Sequence, residues 1–325
     1  MQTRLTDLLG IEHPVMLAGM GGVSYHALTA AVSEAGGIGT LGAGSMSYDD
    51  MVSEIAATRA LTDKPFGVDL LTAMPIDLEV YVSAIIDGGA SMFVAALGVP
   101  HEVVEMCHDA GLVVVNMCGK VSHAVKAVEA GCDIVVAQGT EAGGHTGLVA
   151  TMPLVPQVVD AVGDRVPVVA AGGIVDGRGL AAALALGADG VWVGTRFIAT
   201  PEARIVSGYQ EGLIASAEDG TVISRAYSGK PMRVLRNDYT THFEQHPEEL
   251  QKFPMQMAKS FGDGALHLPT GPNGDAIDPA KECYPAGQGT GAITDIVPAA
   301  ELVERFVSEA EEALARIDTL RTARV

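Results

Sequence analysis

The chain has 325 residues, of which 48% are hydrophobic and 18% are charged, so it has enough apolar material for one large α/β domain. Its formal net charge of −20 argues against a partner held by basic residues, such as nucleic acid or an anionic membrane. No stretch reaches the ~20 consecutive apolar residues of a membrane-spanning helix, and the N-terminus lacks the apolar segment of a secretion signal. We therefore expect a cytoplasmic protein that acts on a small molecule, with a homodimer left open.

The cysteines are few and lie far apart in the chain. Cys107, Cys118, Cys132 and Cys283 show neither a close pair nor the spacing of zinc ligands. We predict that all four are reduced, buried thiols and that the chain has no metal site.

Eight short apolar runs alternate with stretches of helical periodicity along the first 200 residues. The predicted strands are Pro14–Ala18, Ile38–Leu41, Phe66–Leu70, Met92–Ala96, Val113–Asn116, Ile134–Ala137, Val168–Ala171 and Gly190–Val193. The clearest predicted helices are Tyr25–Ala35, Asp49–Arg59, Ile76–Asp87, Ser122–Ala130 and Arg178–Leu186. Apolar strands joined by helices are typical of parallel sheets covered on both faces. The count of eight favours a closed (β/α)8 TIM barrel over an open doubly wound sheet.

The repeat breaks after residue 200, where polar, turn-rich segments replace it. We predict that residues 1–200 and 290–325 form the barrel. Residues 201–289 are predicted to form a small, mainly helical inserted subdomain or lid. The closing segment Pro298–Leu320 has apolar residues at helical spacing, which predicts the last helix of the barrel.

Glycines follow the seventh and eighth predicted strands, at the end of the barrel where active sites form. Gly172 and Gly173 follow strand seven, and Gly194 and Thr195 follow strand eight. Glycines at both loops let backbone N–H groups approach an anion, and the helix that opens at Asp176 would add its positive end. The alternative interpretation is that these glycines serve only to form turns. Because both loops carry them, we predict a phosphate site.

The loop after the sixth strand is rich in glycine and carries polar side chains that packing does not explain. It includes Gln138, Gly143 and His145. Most histidines are structural, and that interpretation is kept for His13, His101, His108, His123, His242, His246 and His267. His145 differs because its loop faces the predicted phosphate loops, so we predict a direct chemical role for it.

Three further strand ends and turns contribute candidates. Met20 and Gly21 follow strand one, where a glycine-rich backbone can lie against a planar ring. Asp69 ends strand three and is either a site residue or a buried cap. Gln288 lies in a late glycine-rich turn. The literal GxGxxG string at residues 37–42 is no dinucleotide fingerprint, because it coincides with a predicted strand.

The segments that contain these residues resemble one known family. The strings are IEHPVMLAGM, LTDKPFGVDLL, AQGTEAGGHTG, PVVAAGGIVDGRG, GADGVWVGTRF and PAGQGTG. They resemble the nitronate monooxygenase (2-nitropropane dioxygenase) family of FMN-dependent barrels. That family includes FabK-type enoyl-acyl-carrier-protein reductases and NADH:quinone reductases.

The resemblance implies roles for the candidates. Gln138 and Gly143 would contact the flavin, and the backbone at Met20 and Gly21 would line its ring. The residues expected at the FMN phosphate are Gly172, Gly173, Gly194 and Thr195. His145 would lie at the substrate face. Asp69 stands where the family usually has Asn, and an ionised carboxylate can only accept where Asn can donate.

The family resemblance leaves several functions open. Oxidation of alkyl nitronates or propionate 3-nitronate by O2 is the family's usual activity and our first expectation. The alternative is an NAD(P)H-dependent reductase of an activated alkene, such as an enoyl thioester of steroid-ring breakdown, or of a quinone. A third possibility is a phosphate-ligand binder without turnover, which would not need His145. IMP dehydrogenase-like barrels have similar phosphate loops but carry a nucleophilic cysteine in the loop after strand six. That alternative is excluded because no cysteine lies between Cys132 and Cys283.

Overall fold

Eight parallel strands close into a barrel in the computed structural model of the chain, which describes residues 1–72, 76–96, 98–99, 101–267 and 277–322. Numbered in chain order, the barrel strands are β1 (Val15–Leu17), β2 (Gly39–Gly42), β3 (Phe66–Leu71), β4 (Met92–Ala96), β5 (Val113–Cys118), β6 (Ile134–Gln138), β8 (Val168–Ala171) and β9 (Gly190–Val193). A two-residue strand, β7 (Gly144–His145), lies outside the barrel. The end strands β1 and β2 are joined by a parallel bridge between Met16 and Ile38. The predicted TIM barrel is confirmed, and the largest error at a strand end is two residues, in β5.

Helices connect the strands as the alternating pattern predicts. They are α1 (Arg4–Leu9), α2 (His26–Glu34), α3 (Tyr48–Leu61), α4 (Leu78–Asp87), α5 (His101–Asp109), α6 (Val121–Glu129), α7 (Thr151–Val162), α8 (Gly177–Ala185) and α9 (Thr195–Ile198). Glycines predicted to end helices, such as Gly36 and Gly187, adopt positive φ angles of 86° and 93°. The last helix, α13 (Ala299–Thr322), packs against α8 and α2 and so completes the outer ring.

The barrel strands are apolar on both faces because each face packs against a different layer. Inward side chains such as Met16, Val136 and Trp192 form one buried cluster inside the barrel. Outward side chains such as Leu17 and Phe93 pack against the helices. All four cysteines are free and buried, as predicted. Since side chains alternate along a strand, Asp69 and Gln138 continue the inward rows of β3 and β6 at the C-terminal mouth.

The described parts of the inserted region, 201–267 and 277–289, contain two strands in addition to helices. The elements here are α10 (Tyr209–Ile214), β10 (Thr221–Ser224), β11 (Met232–Leu235), α11 (Asp238–Gln245) and α12 (Met255–Gly262). Short 3-10 helices span Ala43–Ser45, Pro247–Glu249 and Thr290–Ala292. The polar, turn-rich pattern does not predict the hairpin of β10 and β11. Tyr227, Met232 and Phe243 belong to a separate small core in this region, whereas the domain boundaries stay a prediction.

Candidate active site

The inserted region holds the loop that carries His145. Strand β7 pairs antiparallel with β11, so that His145 lies opposite Met232 and Gly144 opposite Arg233. The backbone N–H of Thr146 also donates to the carbonyl of Pro231. Main-chain hydrogen bonds from the insert therefore fix the histidine at the mouth of the barrel.

The imidazole of His145 has one side-chain partner among the described residues. Its Nε2 atom lies 3.0 Å from the hydroxyl of Ser228. That hydroxyl also accepts from the backbone N–H of Lys230 at 3.2 Å and can donate to the Lys230 carbonyl at 3.3 Å. Removal from water, together with the Lys230 ammonium, lowers the pKa of His145 below its usual value. The ring is therefore neutral near pH 7.

Gln138 and Gly143 support the same loop from the barrel side. The Gln138 amide donates to the carbonyl oxygen of His145 at 3.0 Å. A Cβ atom at position 143 would lie 2.8 Å from the carbonyl carbon of Ala286, so only glycine fits there. The backbone N–H of Gln288 donates to the Glu141 carbonyl at 2.7 Å. The loop after β6 and the late glycine-rich turn thus lie against each other, as the predicted site requires.

The two predicted phosphate loops offer unused donors. Gly172 and Gly173 have positive φ angles of 101° and 73°, which glycine adopts readily. Within the described part of the chain, no acceptor is bonded to the backbone N–H groups of Gly172, Gly173, Gly194 or Thr195. The Thr195 hydroxyl accepts from the N–H of Gly287 at 2.9 Å. Four free N–H groups on adjacent loops are suited to an anion.

The start of α8 does not contribute to this anion site, contrary to the expectation from the sequence. The Asp176 carboxylate accepts from the N–H groups of Arg178 and Gly179. The Glu309 carboxylate on α13 accepts from the N–H of Gly177 at 2.9 Å. Two carboxylates therefore satisfy the positive end of this helix, and a phosphate there would meet like charges.

A cleft of about 350 Å³ lies between α7 and α8, beside the loop that carries Gly172 and Gly173. Its lining includes Gly172, Gly173 and Gln288 together with apolar side chains such as Met152 and Val155. The Glu141 carboxylate also borders it, held by the backbone N–H and hydroxyl of Thr151. Gly194, Thr195 and His145 are not among its lining residues, so this cleft is not the predicted phosphate site.

The candidates after β1 lie next to the loop after β9, because β1 pairs with β9 in the barrel. A Cβ atom at position 194 would lie 3.4 Å from the Met20 sulfur, so Met20 reaches the phosphate side. Gly21 is exposed and faces Ser45. Asp69 is buried against Gly19, where a Cβ atom would lie 2.4 Å from its Oδ2. Removal from water raises the pKa of Asp69 to about 8.

Several residues of the site were not predicted from the sequence. Ser228 and Lys230 approach His145 from 83 and 85 positions later in the chain. Buried Arg233 donates from Nε to the carbonyl of Thr140 and from a terminal nitrogen to the Thr221 hydroxyl. The string GKPMRVLRN at residues 229–237 contains Lys230 and Arg233, and it is the sequence signal from which these two residues could have been found.

Two other features bear on the expected partners. Exposed His246, Glu248 and Glu249 have potential ligand atoms within 4.8 Å of one another, a grouping that is common on surfaces without an ion. Among the described residues, no helix is long and apolar enough to cross a bilayer. The cytoplasmic location stays a prediction.

Comparisons with known proteins agree with this geometry. The nitronate monooxygenase family model matches residues 2–81 and 72–309. A (3aS,4S,5R,7aS)-5-hydroxy-7a-methyl-1-oxo-octahydro-1H-indene-4-carboxyl-CoA dehydrogenase of Mycobacterium tuberculosis is 42% identical, over 75% of this chain and 69% of that protein. A probable nitronate monooxygenase of Staphylococcus saprophyticus is 33% identical, over 79% and 84%. The structure of FabK from Thermotoga maritima matches with a TM-score of 0.89 and 35% identity, over 98% of this chain and 99% of that one.

Proposed function

Because the chain belongs to the nitronate monooxygenase family of oxidoreductases, we propose that it is an FMN-dependent oxidoreductase that acts on the coenzyme A thioester of a carbocyclic acid. The observation that carries this choice is the 42% identity to the indene-4-carboxyl-CoA dehydrogenase, against 33% to a probable nitronate monooxygenase. Membership of an oxidoreductase family also removes the third sequence-based alternative, a binder without turnover.

The rim around His145 suits a large, partly apolar substrate with an anionic tail. Leu148, three residues after His145, is 89% exposed, and Phe253 is 45% exposed. The Lys230 ammonium lies 4.2 Å from the centroid of the Phe253 ring. Exposed apolar side chains therefore lie beside a cation on a chain whose net charge is −20. They would hold a fused-ring acyl group and attract the phosphates of coenzyme A.

The residues present fit FMN. The unbonded N–H groups of Gly172, Gly173, Gly194 and Thr195 are matched to a phosphate dianion. The Gln138 amide and the backbone at Gly143 and Met20 would lie along the ring, as the family resemblance implies, with Gly21 and Gln288 at its margins. When bound, FMN would supply reversible two-electron transfer. Where the reaction runs as a reduction, NAD(P)H is the proposed electron donor. The proposed assembly is a homodimer.

His145 is the proposed proton-transfer residue. The Ser228 hydroxyl has one hydrogen, and donation to the Lys230 carbonyl uses it. In that arrangement Nε2 of His145 carries the proton and donates to Ser228, which leaves the lone pair on Nδ1. Nδ1 has no partner among the described residues. A neutral ring with a free Nδ1 can take a proton from a carbon or hydroxyl of the substrate and return it in the reverse direction.

Anaerobic mixing experiments test the proposal. The purified protein is expected to be yellow and to release FMN, not FAD, on denaturation. A fused-ring acyl-CoA, propionate 3-nitronate, NADH and NADPH are mixed with it separately, and the bleaching rate of the flavin is recorded. The proposal is supported if the acyl-CoA bleaches the flavin fastest. It is also supported if the dehydrogenated form of the acyl-CoA reoxidises the reduced flavin, which tests the reverse direction. A colourless protein that takes up no FMN contradicts it.

Nitronate oxidation by O2 is the second candidate. The family model and the Staphylococcus saprophyticus relative favour it. In that case a nitronate bleaches the flavin, the acyl-CoA does not, and O2 restores the colour.

A further inference from the structure

Asp69 is a buried carboxyl at the mouth of the barrel, and no hydrogen bond joins its side chain to another of the residues that the structure describes. It is 7% exposed, and its position on β3 points it inward, like Gly67 two residues earlier. No donor or acceptor among the described residues is bonded to its side chain. Buried polar groups in folded proteins are normally paired, so an unpaired carboxyl at the mouth is an exception that needs an explanation. A ligand at the mouth would supply the missing partner.

Among the described residues, no charge near Asp69 favours its ionised form. Gly42 lies opposite it on β2 and Val94 on β4, and the backbone at Gly19 covers its carboxyl. Thr40, which points inward from the neighbouring strand β2, is uncharged. Its buried hydroxyl also has no hydrogen-bond partner among the described residues. Removal from water is the one cause that raises the pKa of Asp69 to about 8. At pH 7 the carboxyl therefore keeps its proton.

We propose that Asp69 is a positioning residue that meets the ligand as a neutral carboxylic acid and donates its hydroxyl hydrogen to an acceptor atom of the ligand's ring system. This inference rests on the proposed FMN site at the mouth. The protonated carboxyl has one donor, and asparagine, the residue usual in the family, has a donor at a similar place. The ionised form has none, so it would repel a carbonyl oxygen or an imine nitrogen instead. Cofactor affinity then depends on the protonation of this one side chain.

The test measures FMN retention by the holoprotein against pH. Wild type, Asp69→Asn and Asp69→Leu are equilibrated at several pH values above about 7, where the FMN phosphate, with its second pKa of about 6, stays fully ionised. Free flavin is separated by ultrafiltration, which gives the dissociation constant. For wild type we expect the constant to rise about tenfold for each pH unit above the pKa of Asp69. The dissociation constant of Asp69→Asn for FMN is expected to show no such rise. Asp69→Leu is expected to bind FMN more weakly than Asp69→Asn at every pH.

Infrared spectroscopy supplies a second readout that does not depend on turnover. Wild type should show the carbonyl stretch of a protonated buried carboxyl, absent from Asp69→Asn and lost as the pH rises. Equal pH profiles for wild type and Asp69→Asn overturn the inference and leave the proposed function standing. If wild type and both variants bind no FMN at any pH, the proposed function fails and the inference with it.

Discussion

The imidazole Nε2 of His145 lies 3.0 Å from the hydroxyl of Ser228, on a turn of the inserted region. The contact joins the loop after β6 to a segment 83 residues later. Its chemical value is that it fixes which ring nitrogen carries the proton.

His145→Ala should lower turnover by roughly 10²–10⁴-fold, the usual contribution of positioned proton transfer. FMN content should stay near that of wild type, because Gln138 binds the main-chain carbonyl of residue 145, which alanine retains. Turnover and flavin stoichiometry are measured together, with His123→Ala, an exposed histidine on α6, as the control. Activity within about threefold of wild type would make His145 structural. Loss of FMN would instead assign the loop to cofactor binding.

Ser228→Ala should have a smaller effect than His145→Ala. It removes one hydrogen bond to the imidazole, worth about 1 kcal/mol, so turnover should fall by about fivefold to tenfold. KM should change little, since the binding surface is kept. Steady-state kinetics separates the two constants. A loss as large as that of His145→Ala would indicate that Ser228 itself contacts the substrate.

Lys230→Met should raise the pKa of His145. The Lys230 ammonium contributes to the lowering of that pKa, because a nearby cation disfavours the protonated ring. Without it the ring protonates at higher pH, so the acidic limb of the pH–rate profile should move upward. Lys252→Met, another exposed lysine of the inserted region, serves as the control. An unmoved acidic limb would show that this limb does not report His145.

Gly173→Asp should weaken FMN binding. A carboxylate there would face the phosphate across the free N–H groups, and two like charges ~4 Å apart near a protein surface repel by roughly 4 kcal/mol. The control is Gly111→Asp, which places the same residue at a similar positive φ of 77° with no atom within 4 Å. FMN dissociation constants are compared by fluorescence titration. Equal affinity in both variants would place the phosphate elsewhere.

Asp69→Asn should increase the free energy of unfolding, and more so at pH 8 than at pH 5. The pKa of Asp69 is raised in the folded state to about 8, so unfolding releases a proton between the unfolded pKa and that value. Stability of wild type relative to Asp69→Asn then falls by at most about 1.4 kcal/mol per pH unit over that window. Urea unfolding of the flavin-free proteins at both pH values measures the difference. A gap that does not change with pH would mean that Asp69 is ionised in the folded protein.

Local patterns predicted the barrel because each βα unit repeats the same signals. Apolar runs, periodic helices and terminal glycines all lie within a few residues of the element they define, as at Gly36 and Gly187. Glycine-rich loops after strands six, seven and eight predicted His145 and the phosphate loops, and the family resemblance gave them roles. It did not indicate Ser228 or Lys230, since a contact across 83 residues leaves no local pattern.

The start of α8 shows a different kind of failure. A helix that begins beside a glycine-rich loop commonly binds anions, but here Asp176 and Glu309 satisfy its N–H groups. Asp176 could have been recognised as an N-cap from its type and position. Glu309 could not, because it lies 132 residues away from Gly177 on the last helix.

The pairing of β7 with β11 determines how this enzyme could be recombined with its relatives. The segment with His145 and the segment with Arg233 pair in one small sheet, so β7 has no native strand partner without β11. A chimera that exchanges residues 201–289 alone would set a foreign strand against the native loop. Exchanging residues 139–150 together with the insert would transfer a matched pair, and substrate preference should then travel with that pair while the barrel stays unchanged.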